Sequence, residues 1–192
     1  MTARSGMAAL ITQLRSMTDA GTADYTVNGS SYWTDDQLQQ MLDQTRVDVR
    51  RKLMRAEALY DNGTVHYYDY YLDMRYVEGT ASGSAAFRVE NSVGSTIAGT
   101  LYTPALDVGH LLFSYDTLGS AYYFSGRQYD LNRAAAMVWE QKAADVANRF
   151  DLEIDNHNMK RSQLYDHYLH MAASFRSSAK PMMIRMKRVD VN

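Results

Sequence analysis

The hydrophobic period of this chain changes twice along its length, and those changes constrain the fold more than any single motif. In residues 4–18, Met7, Leu10, Ile11, Leu14 and Met17 recur at three- and four-residue spacing, the pattern of an amphipathic helix. Along His66 to Val77 the period drops to two: Tyr68, Tyr70, Leu72, Met74 and Tyr76 share one face, and Asp69, Asp73 and Arg75 share the other. From Leu131 the helical spacing returns, with Ala134, Ala135, Val138, Trp139, Val146 and Phe150 on one stripe. Helices at both ends around a separate β-rich middle predict an α+β fold. The expectation is a four-helix core, two helices from each end, carrying a Tyr-rich antiparallel β insertion and an extended C-terminal tail. The boundaries read as 1–59 for the N-terminal helical part, 60–129 for the insertion, 130–178 for the C-terminal helical part and 179–192 for the tail.

Local signals fill in these segments. Asp19-Ala20-Gly21 stops the first helix. Tyr25 to Trp33 reads as a small hairpin or loop around Asn28-Gly29. Thr34 starts a second helix, with Gln37 placed to complete a capping box and Asp35 and Asp36 at the positive end of the dipole. Leu38, Met41, Leu42, Thr45, Val49 and Leu53 would be its buried stripe, and Arg46, Arg50, Arg51, Lys52 and Arg55 would crowd its C-terminal half. In the middle segment, Phe87–Glu90, Ile97–Tyr102, Leu111–Tyr115 and Ala121–Phe124 read as short strands. The last two would flank the loop Asp116–Ser120 as a hairpin, and Pro104 to Gly109 would break the strand before them. Asp130 is the expected N-cap of the third helix, and a fourth runs over about residues 159–178, ended by Pro181.

Charge and tyrosine are distributed by segment. Residues 1–59 are neutral overall, residues 60–130 carry a net −5 and 11 of the 15 tyrosines, and residues 131–192 carry a net +3. The total of −2 does not indicate a generic nucleic-acid binder. The chain has no cysteine, which removes disulfides, thiol catalysis and zinc ribbons and fits folding in a reducing compartment. No apolar run approaches the ~18 residues needed to span a bilayer. The apolar stretch Met7–Ile11 is too short and too quickly interrupted for a signal peptide. The triplets beginning at Asn28 and Asn62 therefore read as turns.

Motifs for catalysis are sparse. There is no Gly-x-Ser-x-Gly elbow and no Gly-Lys-Ser/Thr phosphate loop. Asp151, Glu153 and Asp155 are spaced like the start of an EF-hand loop, but Asn156 stands at its sixth position and Ser162 at its twelfth. His167 and His170, with Asp166 and His157 near in sequence, could share a helix face yet lack a convincing further metal ligand. Asp69, Asp73, Glu78 and Asp107 could supply paired carboxylates for glycoside chemistry, and the tyrosine-rich strand a stacking platform for sugar rings. Such residues more often belong to a sheet's polar face, to a core or to subunit contacts. The alternative function is thus a carbohydrate-binding or glycan-processing module. The arginines from Arg46 to Arg55 could touch phosphates, guiding DNA without gripping it. The tail Met182-Met183-Ile184-Arg185-Met186-Lys187-Arg188-Val189 alternates apolar and basic residues, which suits a strand added to another sheet edge. A frayed end, or a strand pairing within this chain, is the plainer alternative.

One set of segments resembles a known family. It comprises Tyr32-Trp33-Thr34-Asp35-Asp36-Gln37-Leu38, Tyr129-Asp130-Leu131-Asn132-Arg133-Ala134, Trp139-Glu140-Gln141-Lys142-Ala143-Ala144, Phe150-Asp151, Arg161-Ser162-Gln163, His167-Tyr168-Leu169 and Met171-Ala172. In this order they are similar to the head–tail adaptor (connector) proteins of tailed bacteriophages, in the version with a β insertion between helix pairs. The resemblance covers nearly the whole chain in layout, and its motifs are structural. It implies a ring, commonly of twelve copies, docked under the portal protein of the capsid. The helices would surround a channel for genomic DNA. The tail would reach the portal, and the insertion would face outward or toward the next neck or tail protein. It implies no catalysis, cofactor or membrane, and a location in the virion neck after assembly in the host cytoplasm. Another neck or tail-completion protein is a further alternative. The −5 and +3 segments suit a head-to-tail interface that closes into a ring. About a dozen tail residues can span roughly 35–40 Å when extended.

Overall fold

A computed structural model describes residues 3–21, 24, 26–27, 30–79, 86–147, 153–154, 157–158 and 161–179. These form an α+β fold of helices and antiparallel sheets. The chain enters through a 3-10 turn, Ser5–Met7, into helix α1, Ala8–Thr18, which buries Leu10, Ile11 and Leu14. Asp19 ends α1 in the left-handed conformation, its N–H bonded to the Arg15 carbonyl. The short strands β1, Thr26–Val27, and β2, Ser30–Ser31, pair antiparallel, and the expected turn at Asn28-Gly29 lies outside the described residues. Helix α2, Asp35–Asp43, starts with the expected capping box: the Thr34 hydroxyl accepts the Gln37 N–H, and the Gln37 side chain accepts the Thr34 N–H.

Helix α2 does not continue to Leu53. It ends at Asp43, where the Thr45 N–H and hydroxyl both bond the Leu42 carbonyl and the hydroxyl also accepts the Asp130 N–H at 3.1 Å. That last contact ties the helix end to a residue 85 positions away. The chain then leaves as strands β3, Val47–Leu53, and β4, Arg55–Asp61, which turn at the buried Met54. The residues expected as a basic helix half, Arg46, Arg50, Arg51, Lys52 and Arg55, therefore lie on or beside strands, and the strands begin at Val47 rather than near residue 60.

Strand β5, Thr64–Tyr71, returns from β4 across the turn Asn62-Gly63. Both turn residues have positive φ, 46° and 83°, the geometry a two-residue hairpin demands. Strand β6 is Arg88–Glu90, β7 is Tyr102–Ala105, β8 is His110–Phe113 and β9 is Tyr123–Gln128. They assemble into a three-stranded sheet in the order β3-β9-β6 and a four-stranded sheet in the order β4-β5-β8-β7, all pairs antiparallel. Four strand expectations change. Of the expected strand Ile97–Tyr102 only Tyr102 lies in a strand, because Gly99–Leu101 forms a 3-10 turn ahead of β7. The strand from His66 ends at Tyr71, although Leu72 and Met74 stay buried. Pro104 lies within β7, at a sheet edge where its missing N–H is tolerated. Strands β8 and β9 fall in different sheets because the loop between them is bound to β5: Thr117 bonds the Tyr67 carbonyl, and Asp116 accepts the Tyr67 N–H.

Helix α3, Leu131–Ala147, follows, capped by Asp130, whose carboxylate accepts the Arg133 N–H. Short strands β10, Glu153–Ile154, and β11, His157–Asn158, pair before helix α4, Arg161–Ser178. Helix α4 packs on α3, with Ala172 buried and Phe175 against the helical core, while Leu164 and Leu169 stay exposed. The tail residues Met182 to Val189 and the acidic loop Asp151, Asp155 and Asn156 lie outside the described residues.

Two apolar cores result. One gathers Leu10, Leu14, Trp33, Leu38, Leu131 and Val138 from the helices, and the other gathers Tyr70, Val89, Leu111, Phe113 and Phe124 from the sheets. The segment Tyr76–Gly79 stitches them together. Tyr76 packs on the helical core and Val77 on the β core. Its backbone bonds in turn to Tyr129, Leu106, Arg127 and Gly6. Gly6 allows this approach: a Cβ there would stand 3.2 Å from the Glu78 side chain and 3.4 Å from the Gly79 nitrogen.

Candidate functional site

The densest polar cluster lies on this seam. The side chain of Glu78 is only 3% exposed. Its carboxylate accepts the Tyr129 hydroxyl at 2.5 Å, Arg4 Nε at 3.0 Å and Arg127 Nη1 at 3.3 Å. Arg4 also forks onto Asp43, at the end of α2, at 2.6 and 3.0 Å. Burial alone would push the Glu78 carboxyl up, but the bonds from Tyr129 and Arg4 and the Arg4 charge outweigh it and hold the group below the usual range. The Tyr129 phenol is pushed up by burial and then by Glu78. The Arg4 guanidinium is raised chiefly by its bond to Asp43, against the opposing effect of burial. A carboxylate held ionised and fully bonded by two arginines and a phenol is built to fix geometry. It joins the chain start, α2, the β unit and the entry to α3 in one cluster.

The second feature is a groove of about 930 Å³ lined by Arg46, Arg50, Arg51, Arg88 and Arg127, with Asp48 as the lining carboxylate. Local backbone geometry explains how two consecutive arginines reach it. In the β3–β9 pairing, Val49 faces Gly126 and Lys52 faces Phe124, so Arg50 and Arg51 together oppose Ser125 in a bulge. Arg51 takes a positive φ of 45°, and its N–H is bound by the Ser125 hydroxyl. Several of these charges are already engaged. Arg51 and Arg88 share the buried Glu90 at 3.4 and 2.9 Å, and Arg46 pairs with Asp48. The exposed Arg50 makes no ion pair among the described residues. The sequence-predicted basic set is thus divided. Arg46, Arg50 and Arg51 come together here, while Lys52 approaches Asp73 at 3.8 Å and Arg55 lies over the Tyr71 ring at 5.7 Å. Arg88 and Arg127 are groove residues that sequence reading missed. They lie more than 35 positions from the others, and only the β3-β9-β6 order brings them together.

The other candidates do not converge. Asp69 pairs with His110 at 2.7 Å, Asp73 with Lys52, and Glu78 belongs to the seam, while Asp107 is exposed. His66 pairs with Asp116 at 2.8 Å; that carboxyl is held low first by the Leu118 N–H and then by His66 and the Tyr67 N–H. His167 and His170 are exposed on α4, and His167 meets the Trp139 ring edge-on. Among the described residues no group of three or more His, Asp or Glu could hold a metal ion. None of the described helices is long and apolar enough to cross a membrane. Tyr70, a proposed sugar platform, is fully buried between Phe113 and Tyr122, with its hydroxyl bonded to Thr117 and the Ser120 carbonyl. No protein-family model matches this chain, and neither a curated protein nor a solved structure does.

Proposed function

We propose that this chain is a structural head–tail adaptor. Twelve or so copies would form a ring beneath the portal of a tailed-phage capsid, joining head to tail and continuing the DNA channel. In this reading the four helices are the ring-forming core and the strands from Val47 onward are an insertion facing a neighbouring subunit or the next neck protein. The tail, Met182 to Val189, reaches the portal. Arg46, Arg50, Arg51, Lys52 and Arg55 serve subunit contacts or passing DNA. The protein acts in the virion neck without catalysis, after assembly in the host cytoplasm.

One observation carries the reading. Strands β3 and β4 follow each other directly, and each is the edge of a different sheet. Along them Val47, Leu53, Leu59 and Tyr60 are 52, 57, 51 and 79% exposed. Strand β3 carries Asp48, Arg50, Arg51, Lys52 and a bulge, which guard its edge against direct strand pairing, so contact with another chain is favoured by the exposed apolar side chains themselves. The seam around Glu78 supports the same reading, because it makes helices and sheets one stiff body able to transmit load.

The test is attachment to a portal ring. Full-length protein should co-sediment with purified portal as a complex of many copies. Truncation after Lys180 should leave the circular dichroism spectrum unchanged and abolish attachment. Equal binding by the truncated chain would remove the tail's role, and no binding by the full chain would remove the adaptor reading.

A further inference from the structure

The β4–β5 hairpin is an arm without a seat on its own subunit. Strand β5 pairs with β8 only through Asp69, Tyr70 and Tyr71, and the loop after β8 is bonded to it at His66 and Tyr67. Beyond that point the ribbon has only its own two strands. A Cβ built on Gly63 would meet no atom within 4 Å, so the tip stands in open space. Leu59 and Tyr60 are neighbours in a strand and so point to opposite faces of the ribbon, yet both are largely exposed. An arm that is apolar on both faces fits between two walls better than it lies on one surface. Its charged residues toward the tip are Glu57 and Asp61, both acidic. The arginine groove has the complementary character. Its charged lining is five arginines against one carboxylate, Asp48, and Val49, Ile97 and Ala98 among its lining residues supply part-exposed apolar surface for Leu59 and Tyr60. Arginine beside an exposed tyrosine also offers cation–π contact. None of the residues 57–64 lines the groove of its own chain.

We infer that the β4–β5 tip of one copy seats in the arginine groove of the next, with Asp61 toward Arg50 and Tyr60 over the apolar floor. The inference rests on the ring reading and deepens it. Arm and groove are different surfaces of one chain, so the contact is head-to-tail and propagates until the rotation closes.

The chain's lack of cysteine makes the test clean. Thr64→Cys places a thiol at the tip and Thr96→Cys one at the groove rim, both at exposed positions. Under mild oxidation the double variant should give a ladder of covalent multimers, while each single variant should give nothing beyond dimer. Charge reversal supplies the second readout. Asp61→Arg or Arg50→Asp alone should weaken self-association in the ultracentrifuge by roughly tenfold or more, and the two together should restore it. Self-association without a ladder overturns the arm-in-groove contact and leaves the ring reading standing. A chain that stays monomeric at every concentration also overturns it, and the ring reading is then decided by the portal experiment. If no ladder forms and a labelled DNA duplex binds in a way that Arg50→Asp abolishes, the groove is a phosphate track and the proposal is wrong.

Discussion

The Tyr129 hydroxyl donates to the Glu78 carboxylate across 2.5 Å, and this contact joins the two halves of the molecule. Tyr129 belongs to the helical core and immediately precedes α3, whereas Glu78 follows Val77 of the β core. Removing the phenol leaves a buried carboxylate short of a donor. Tyr129→Phe should cost about 1.5–3 kcal/mol in urea unfolding, the range for a hydrogen bond to a charged group. An unchanged midpoint would show that the seam does not stabilise the fold.

The same carboxylate sets an acid limb. Its native pKa lies below its unfolded value, so its stabilisation is present at pH above the unfolded value and is lost as pH falls through the native one. Melting temperature should therefore decline below about pH 4. Glu78→Gln should be less stable at pH 7 and show a shallower acid decline. Parallel curves for the two proteins would assign the acid limb elsewhere.

Among the described residues, Gly109 is the glycine with least freedom to change. It has φ of 76°, and a Cβ there would stand 2.0 Å from the Met74 carbonyl oxygen. Its own carbonyl accepts the Leu72 N–H at 2.7 Å, which holds the path of Leu72–Met74 into the β core. Gly109→Ala should destabilise by at least about 2 kcal/mol, combining backbone strain with a forced shift. Gly63→Ala, where only φ is unfavourable, should cost less.

Thr45→Val tests why α2 ends where it does. The substitution keeps the shape but removes the hydroxyl that accepts the Asp130 N–H. A loss of about 0.5–1.5 kcal/mol is expected from the part-buried hydrogen bond removed. Hydrogen exchange at Asp130 should accelerate in the variant, and unaltered exchange would mean another group ends the helix.

This helix end also shows how far the sequence could be read. Signals confined to neighbouring residues were legible: the Thr34–Gln37 capping box, the Asp130 cap, the Asp19 stop and the Asn62-Gly63 turn all act within a few positions. The end of α2 was not, because no glycine or proline marks it and the deciding partner lies 85 residues away. Val49 and Leu53 are spaced four apart and satisfy a helical stripe as well as a strand, and the arginines between them favour neither. The basic groove was half visible for the same reason. Arg46, Arg50 and Arg51 stood out as a run, whereas Arg88 and Arg127 join them only through strand pairing. The seam around Glu78 was hidden altogether, because Arg4, Asp43, Glu78 and Tyr129 share no local pattern.

Leu59→Ser with Tyr60→Ser separates assembly from folding. Both side chains are exposed in the single chain, so urea stability should change by no more than about 0.5 kcal/mol. Sedimentation should nevertheless shift toward monomer. A large stability loss with unaltered sedimentation would place these residues in the chain's own fold.

The most direct measurement is electron microscopy of the full-length protein bound to a portal ring, with the rotational symmetry determined from the images. The account predicts a closed ring of identical subunits around an open central channel, each contributing its hairpin arm to a neighbour. Single compact subunits scattered on the portal, or a two-fold symmetric dimer with no channel, would contradict it.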